Sequence, residues 1–185
     1  MTETVRTLDP IRNALPAEVT ALNALIAASA TELSRGYYSS SQITSLVTHV
    51  FGVDTQLLTD ETYYVIERAG QLVACGGWSR RRTLYGGDQA KDTSDPLLDP
   101  AVEAARIRAF FVHPGFSRQG LGRRLLIHCE SAAHAAGFRR VELMATLPGV
   151  PLYAALGYES LESAAPLLPD GQRVEFVRMG RELTP

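Results

Sequence analysis

The sequence predicts a mixed α/β (α+β) fold with a twisted central sheet of about six to seven strands and about four flanking helices. Two predicted helices come first. They are followed by two strands, a long loop, a strand–helix–strand–helix unit and two final strands, an order typical of a single mixed α/β layer. The 185 residues contain no internal repeat and no linker-like stretch. One domain spanning 1–185 is therefore expected.

Composition excludes several functional classes. Hydrophobic residues make up 45% and charged residues 21% of the chain, as in ordinary globular proteins. The net charge of −2 gives no reason to expect nucleic acid or an anionic membrane as a partner. The chain has no membrane-length apolar run and does not begin with a secretory pattern, so a cytoplasmic location is expected.

The cysteines and histidines do not indicate a metal. Cys75 and Cys129 occur in apolar surroundings, which is typical of buried thiols rather than of a disulfide. Spacing typical of metal ligands is lacking between these cysteines and the four histidines, which are His49, His113, His128 and His134.

The individual elements follow from spacing and turn signals. A capping box from Ser39 to Gln42 opens the second helix, which Gly52 ends, and Ala69-Gly70 predicts a hairpin. The other helices are expected at 17–33, 119–136 and 151–157. Strands are expected at 5–8, 62–67, 71–79, 107–112, 139–146, 158–164 and 172–179.

A long polar segment separates two of these strands. Residues 84–104 contain five acids against the single cation of Lys91. Long loops inside compact domains are often functional or mobile. Two interpretations remain open, a solvated variable loop and an acidic lid that favours a cationic amine.

The stretch after the 107–112 strand has the chemistry of a phosphate cradle. Pro114 ends the strand, and the following turn leads into the N-terminus of the next helix. Free backbone N–H groups and the positive end of the helix dipole meet there. Gly120 and Gly122 permit close approach of a ligand, and Arg118, Arg123 and Arg124 add positive charge.

Two familiar nucleotide motifs do not fit this turn. A dinucleotide fingerprint would need glycine where Leu125 stands. A Walker A loop would need Lys followed by Ser or Thr after Gly120, and Leu121-Gly122 follows instead.

Two motifs together resemble the GNAT (GCN5-related) N-acetyltransferase superfamily. Val112-His-Pro is followed by Arg118-Gln-Gly-Leu-Gly-Arg123, and Leu152-Tyr-Ala-Ala-Leu-Gly-Tyr158 lies downstream. The resemblance implies a GNAT-like fold, acetyl-CoA as cosubstrate, no metal, and transfer of the acetyl group to an amine of a small molecule or peptide. The resemblance is also compatible with a homodimer.

The resemblance assigns roles to particular residues. The backbone of Phe110, Phe111 and Val112 would pair with the pantetheine arm, and an N–H near Val112 would stabilise the oxyanion. Tyr153 would protonate the coenzyme A thiolate, although a core tyrosine is the alternative. The turn that would bind the pyrophosphate comprises Arg118, Gln119, Gly120, Leu121, Gly122 and Arg123.

The acceptor side is less defined. Tyr37 and Tyr38 are candidate substrate contacts, or they cover the core. Arg106 and Arg108 share one face of their strand, where they would bind an acidic group of the acceptor or pair with the acidic loop. Glu103 and Glu142 are both candidates for the general base, and neither is assigned.

Two other functions compete with acetyl transfer. Relatives often carry asparagine where Thr146 stands, and no base is obvious, which leaves room for a non-catalytic acyl-CoA-binding sensor or regulatory module. A phosphate-binding protein unrelated to coenzyme A is the third alternative.

Overall fold

The computed structural model describes residues 9–91 and 94–184. Seven strands form one sheet in the order β1-β2-β3-β4-β5-β7-β6. The strands are β1 Ile11–Asn13, β2 Tyr63–Arg68, β3 Gln71–Ser79, β4 Ala105–Val112, β5 Arg140–Thr146, β6 Glu159–Ala164 and β7 Phe176–Glu182. The helices are α1 Val19–Leu33, α2 Ser40–His49, α3 Thr55–Thr59, α4 Leu121–Ala135 and α5 Val150–Ala155.

The predicted mixed sheet and its strand count are confirmed, with differences at the ends. The strand expected at 5–8 lies outside the described residues, and β1 at Ile11–Asn13 was not predicted. The short helix α3 was also missed. The last strand begins later than expected because Leu168 and Gln172 close a turn through a 2.8 Å backbone hydrogen bond.

The two faces of the sheet pack against different helices. Alternate side chains of β2 lie on opposite faces of the sheet. Tyr64 and Ile66 pack in the core beneath α4, whereas Tyr63 and Val65 pack in the core formed with α1 and α3. This alternation is the two-residue period of a strand that is buried on both faces. The central strands are therefore held rigidly from both sides.

The strands β4 and β5 are parallel neighbours over only two residue pairs. Ala105 pairs with Val141 and Arg106 pairs with Glu142, whereas residues 107–112 have no partner in β5. All other neighbouring strands in the described sheet are antiparallel. The sheet thus opens into a cleft between the carboxyl-terminal parts of β4 and β5.

A bulge bends β4 at this cleft. The register with β3 shifts between Cys75 and Gly77, so that Gly76 faces both Ala109 and Phe110. Ala109 has φ 53°, and its carbonyl accepts a 3.1 Å hydrogen bond from the Tyr63 hydroxyl. The bulge therefore changes the direction of the strand edge that lines the cleft.

The loop between β3 and β4 is folded onto the domain. It contains one turn of 3-10 helix at Asp88–Ala90, and Leu98 is buried in the core beneath α4. In the described part of the chain, no helix has the length and apolar character needed to cross a membrane.

Candidate functional site

A cavity of about 290 Å³ fills the cleft between β4 and β5. The β4 edge and the turn before α4 line one part of it, and α5 closes the side next to β5. The link between α2 and α3 and the first residues of the β3–β4 loop form the opposite wall. One continuous space therefore joins the start of α4 to the loops at the other end of the cleft.

The turn before α4 has the geometry of an anion site. Gly120 caps the helix with φ 80°, and Arg118 also has a positive φ, 61°. Among the described residues, no acceptor is bonded to the backbone N–H groups of residues 118–123. A Cβ added at Gly120 would have no atom within 4 Å, so an anion can approach the free N–H groups directly.

Positive charge surrounds this turn. Arg118 is exposed at the rim of the cavity, and the Arg68 guanidinium donates to the Gln119 side chain at 2.9 Å. Arg124 donates to the backbone carbonyl of Asp9. The contribution of Arg68 carried no sequence signal, because it lies just before a hairpin turn some fifty residues away from Gln119.

The β4 edge lines the cavity, and its two aromatic rings are packed against neighbouring residues. The Phe110 ring covers Gly76, and the Phe111 ring meets Phe51 edge-on at 5.3 Å between centroids. The Val112 N–H points away from β3 and donates to the Ser29 hydroxyl at 3.3 Å. Ser29 was not identified from the sequence.

Tyr153 contributes a phenol to the cavity wall. It lies on α5 with 9% of its surface exposed, and its hydroxyl has no hydrogen-bond partner among the described residues. Burial raises the pKa of Tyr153 well above its usual value, and neighbouring Cys129 adds to the shift. The phenol is therefore protonated throughout the neutral pH range.

The neighbouring Tyr158 differs from Tyr153 in its surroundings. The two rings lie 5.7 Å apart, but the Tyr158 hydroxyl donates to Glu130 at 2.8 Å. Tyr158 does not line the cavity. Of the two tyrosines, only Tyr153 therefore has both an unengaged hydroxyl and a position on the cavity.

Arg108 is a deeply buried charged side chain of the site. Its guanidinium donates to Asp54 at 3.0 Å and to the backbone carbonyls of Thr83 and Gly86 at 2.9 and 2.7 Å. Lys91 lies 2.6 Å from the other Asp54 oxygen. These bonds connect β4 to two parts of the cavity wall. One is the link between α2 and α3, which contains Asp54, and the other is the β3–β4 loop, which contains Thr83 and Gly86.

Arg106 and the two candidate bases lie outside the cavity. Glu142 is held between Arg106 at 2.8 Å and Arg178 at 2.6 Å. Glu103 accepts the backbone N–H of Asp99 at 2.8 Å. Among the described residues that line the cavity there is no carboxylate or histidine side chain.

The two candidate tyrosines of the N-terminal region also lie away from the cavity lining. Tyr37 is half exposed, whereas Tyr38 is buried. The Tyr38 hydroxyl donates to the Glu175 carbonyl at 2.6 Å and accepts from the Leu147 N–H at 2.9 Å. Burial raises the pKa of Tyr38 to about 12, so it remains a neutral link between α2 and β7.

No group of three or more His, Cys, Asp or Glu side chains is arranged for metal binding within the described ranges. Cys75 and Cys129 are both buried free thiols, as predicted.

The open pair of parallel strands, the helix N-terminus beside it and the phenol in the wall all border one cavity. A family model described as the acetyltransferase (GNAT) family matches residues 28–158. The chain belongs to this family, as its two motifs predicted. A search of curated protein sequences found no significant match.

Solved structures support the fold at low sequence identity. A GCN5-related N-acetyltransferase from Rhodopseudomonas palustris has a TM-score of 0.71 at 18% identity, covering 98% of this chain and 100% of that one. The PaiA N-acetyltransferase from Thermoplasma acidophilum, in complex with coenzyme A, has a TM-score of 0.65 at 13% identity, covering 95% and 99%. YncA from Salmonella typhimurium, with its cofactor acetyl-CoA, has a TM-score of 0.63 at 14% identity, covering 97% and 96%.

Proposed function

We propose that this protein transfers the acetyl group of acetyl-CoA to a primary amine by direct attack in a ternary complex. One observation carries the proposal. A single cavity connects an anion-binding helix N-terminus, an unpaired strand edge and the Tyr153 phenol. The first suits a pyrophosphate, the second an amide-containing arm, and the third a leaving thiolate.

The binding role falls to main-chain groups. The free N–H groups of residues 118–123 would hold the pyrophosphate at the positive end of α4, with Arg118 and Arg123 adding charge. The edge of Phe110 to Val112 would pair with the pantetheine arm. The complexes of PaiA with coenzyme A and of YncA with acetyl-CoA support this assignment for the shared fold.

The chemical step needs one electrophile held in place and two proton transfers. The amine nitrogen attacks the thioester carbonyl, and the Val112 N–H gives up its long bond to Ser29 and stabilises the oxygen that becomes negative. The C–S bond then breaks, and Tyr153 donates its proton to the sulfur. The amine releases one proton, which passes through water and restores the Tyr153 phenol.

Ligand binding is the first test. Thermal unfolding of the protein would be followed with acetyl-CoA, with coenzyme A and with ATP, since a ligand that binds only the native state raises the melting temperature. We expect a shift with the first two ligands and a smaller one with ATP. No shift with saturating acetyl-CoA would refute the proposal.

Replacing Tyr153 tests the proton donor. We expect Tyr153→Phe to lower kcat by about 10²-fold or more, because a positioned acid contributes about 10²–10⁴-fold. The dissociation constant of coenzyme A should stay the same, since the proposed cofactor contacts are elsewhere. Thiol release measures the rate, and calorimetry measures binding.

Tyr158→Phe is the matched control, because it removes a buried tyrosine hydroxyl that is bonded to Glu130 and does not line the cavity. It should retain the rate while losing some stability. Full activity in Tyr153→Phe would exclude the acid role. Coenzyme A binding without turnover of any amine in the wild type would favour the sensor function.

A further inference from the structure

We infer that the acceptor is an amine whose remaining part is apolar and uncharged. This inference rests on the proposed function and specifies its substrate class. It concerns the end of the cavity away from the α4 N-terminus, here called the acceptor pocket, which is lined by Leu33, Phe51, Leu84, Tyr85 and Met144.

Most side chains that line the acceptor pocket are apolar, and Ser34, next to Leu33, is a polar exception in the cavity lining. Phe51 meets Phe111 edge-on at 5.3 Å, and Tyr85 lies 5.5 Å from the Phe176 ring. Packed rings of this kind form a preformed surface that buries hydrocarbon from water. An acceptor with an alkyl or aromatic group therefore gains from entering the pocket.

The cation nearest to this pocket is neutralised within the protein. Arg108 borders the cavity, yet only 2% of the residue is exposed and it is paired with Asp54. Asp54 in turn binds Lys91, and Lys91 lies 3.5 Å from Asp95. Two cations and two anions thus balance one another behind the wall.

The described acids of the β3–β4 loop are also engaged away from the pocket. Each accepts a hydrogen bond from a backbone N–H group, and none lines the cavity. The pairs are Asp88 with Thr55 at 3.0 Å, Asp95 with Thr83 at 2.8 Å, Asp99 with Ala101 at 2.9 Å, and Glu103 with Asp99 at 2.8 Å.

A second charge on the acceptor would therefore lose hydration in this pocket without gaining a partner. Burial of an unpaired ion is strongly unfavourable, whereas burial of a methyl group is favourable. The described acids of the loop instead bind backbone N–H groups, and Asp95 also lies near Lys91. These contacts argue against the interpretation of this loop as an acidic lid that favours a cationic acceptor.

The test compares three amines of matched length. Hexylamine ends in a methyl group, 1,5-diaminopentane carries an ammonium in the same place, and 6-aminohexanoate carries a carboxylate there. The last probe is included because the buried Arg108 Nε has no hydrogen-bond partner among the described residues. We expect kcat/KM for hexylamine to exceed both others by at least 10-fold. Equal or reversed values would overturn the inference.

A gain-of-charge variant tests the location of the pocket. Leu84→Glu places a carboxylate in the wall and should raise the preference for 1,5-diaminopentane over hexylamine at least 10-fold relative to the wild type. Leu97→Glu is the control, since Leu97 belongs to the same loop but is 60% exposed and outside the cavity. An unchanged ratio in a folded Leu84→Glu protein would contradict the pocket assignment.

Binding measurements separate failure of this inference from failure of the proposed function. Thermal shift with coenzyme A alone tests the cofactor binding that the proposed function requires. Thermal shift of the coenzyme A-saturated protein by each amine tests the pocket, even if none of the three amines is acetylated. A coenzyme A shift without any further shift from hexylamine would refute the inference alone, and no coenzyme A shift would refute the proposed function.

Discussion

Gly77 occupies a position where the neighbouring backbone leaves no room for a side chain. An added Cβ would lie 2.5 Å from the Thr62 carbonyl oxygen and 2.8 Å from the Tyr63 ring. That oxygen already accepts a hydrogen bond from the Trp78 N–H at 3.1 Å, so it cannot turn away without breaking the pairing of β2 with β3. The glycine thus lets two strands lie side by side next to the β4 bulge.

We expect Gly77→Ala to lower the free energy of unfolding by about 1–3 kcal/mol, because overpacking forces backbone shifts. Urea unfolding at pH 7 measures this change. Gly115→Ala serves as the control, since the nearest atom to its added Cβ is the His113 ring at 3.4 Å, an ordinary contact. Equal midpoints for the two variants would show that the sheet accommodates the methyl group.

At the residue scale, some residues of the site could be predicted from sequence motifs, whereas others are placed there only by packing. Gly120 and Tyr153 could be singled out because each stands in a short motif whose spacing has a physical meaning. Ser29 and Asp54 could not, since nothing in the residues around them indicates that they contact β4. Their positions depend on how α1 and α3 pack against the sheet.

At the scale of elements, the capping box that begins α2 is formed as predicted. The Ser39 hydroxyl accepts the Gln42 N–H at 3.2 Å, and the Gln42 side chain accepts the Ser39 N–H at 2.9 Å. The Gln42 side chain also donates to the Arg173 carbonyl at 2.8 Å. The cap therefore connects the start of α2 to the turn before β7.

Ser39→Ala should destabilise the protein by about 1 kcal/mol, the usual cost of losing an N-cap hydroxyl. Thermal and urea unfolding measure the loss. Ser40→Ala is a suitable comparison, because Ser40 is an exposed first-turn residue that contributes its backbone carbonyl, not its side chain, to the bond with Thr44. A Ser39→Ala protein as stable as Ser40→Ala would mean that water replaces the cap.

The bulge of β4 was beyond sequence reasoning, unlike the turn that follows it. The turn is encoded locally by Gly120 with its positive φ and by the start of an amphipathic helix. The bulge depends on the register between β3 and β4, which are separated by the long loop. An alanine at φ 53° is unusual and gives no local warning of that conformation.

At the scale of the whole molecule, several buried acidic groups remain protonated in the fold. Burial raises the pKa of the Cys75 thiol from 9.0 to about 12, and burial likewise raises the pKa of Cys129 and of Tyr153. In the unfolded chain these groups lose their protons at lower pH. Their contribution to stability is therefore complete below about pH 9 and is lost as the pH rises toward 12.

We expect the free energy of unfolding to fall between pH 9 and pH 12, by up to about 1.4 kcal/mol per pH unit for each such group. Urea unfolding at intervals across this range measures the slope. Cys75→Ala should reduce the slope without changing its sign, because one of the titrating groups is gone. Constant stability up to pH 11 would contradict the assignment.

By itself the sequence determined the order and type of most elements, the glycine-containing turn before α4 and the GNAT motifs. These features depend on spacing and backbone preferences within stretches of about a dozen residues. The tertiary structure alone decided where β4 and β5 separate, which side chains line the cavity, and how Arg108 is neutralised by Asp54, 54 residues earlier. Such contacts join distant segments, so they follow from the packing of the whole chain rather than from any local pattern.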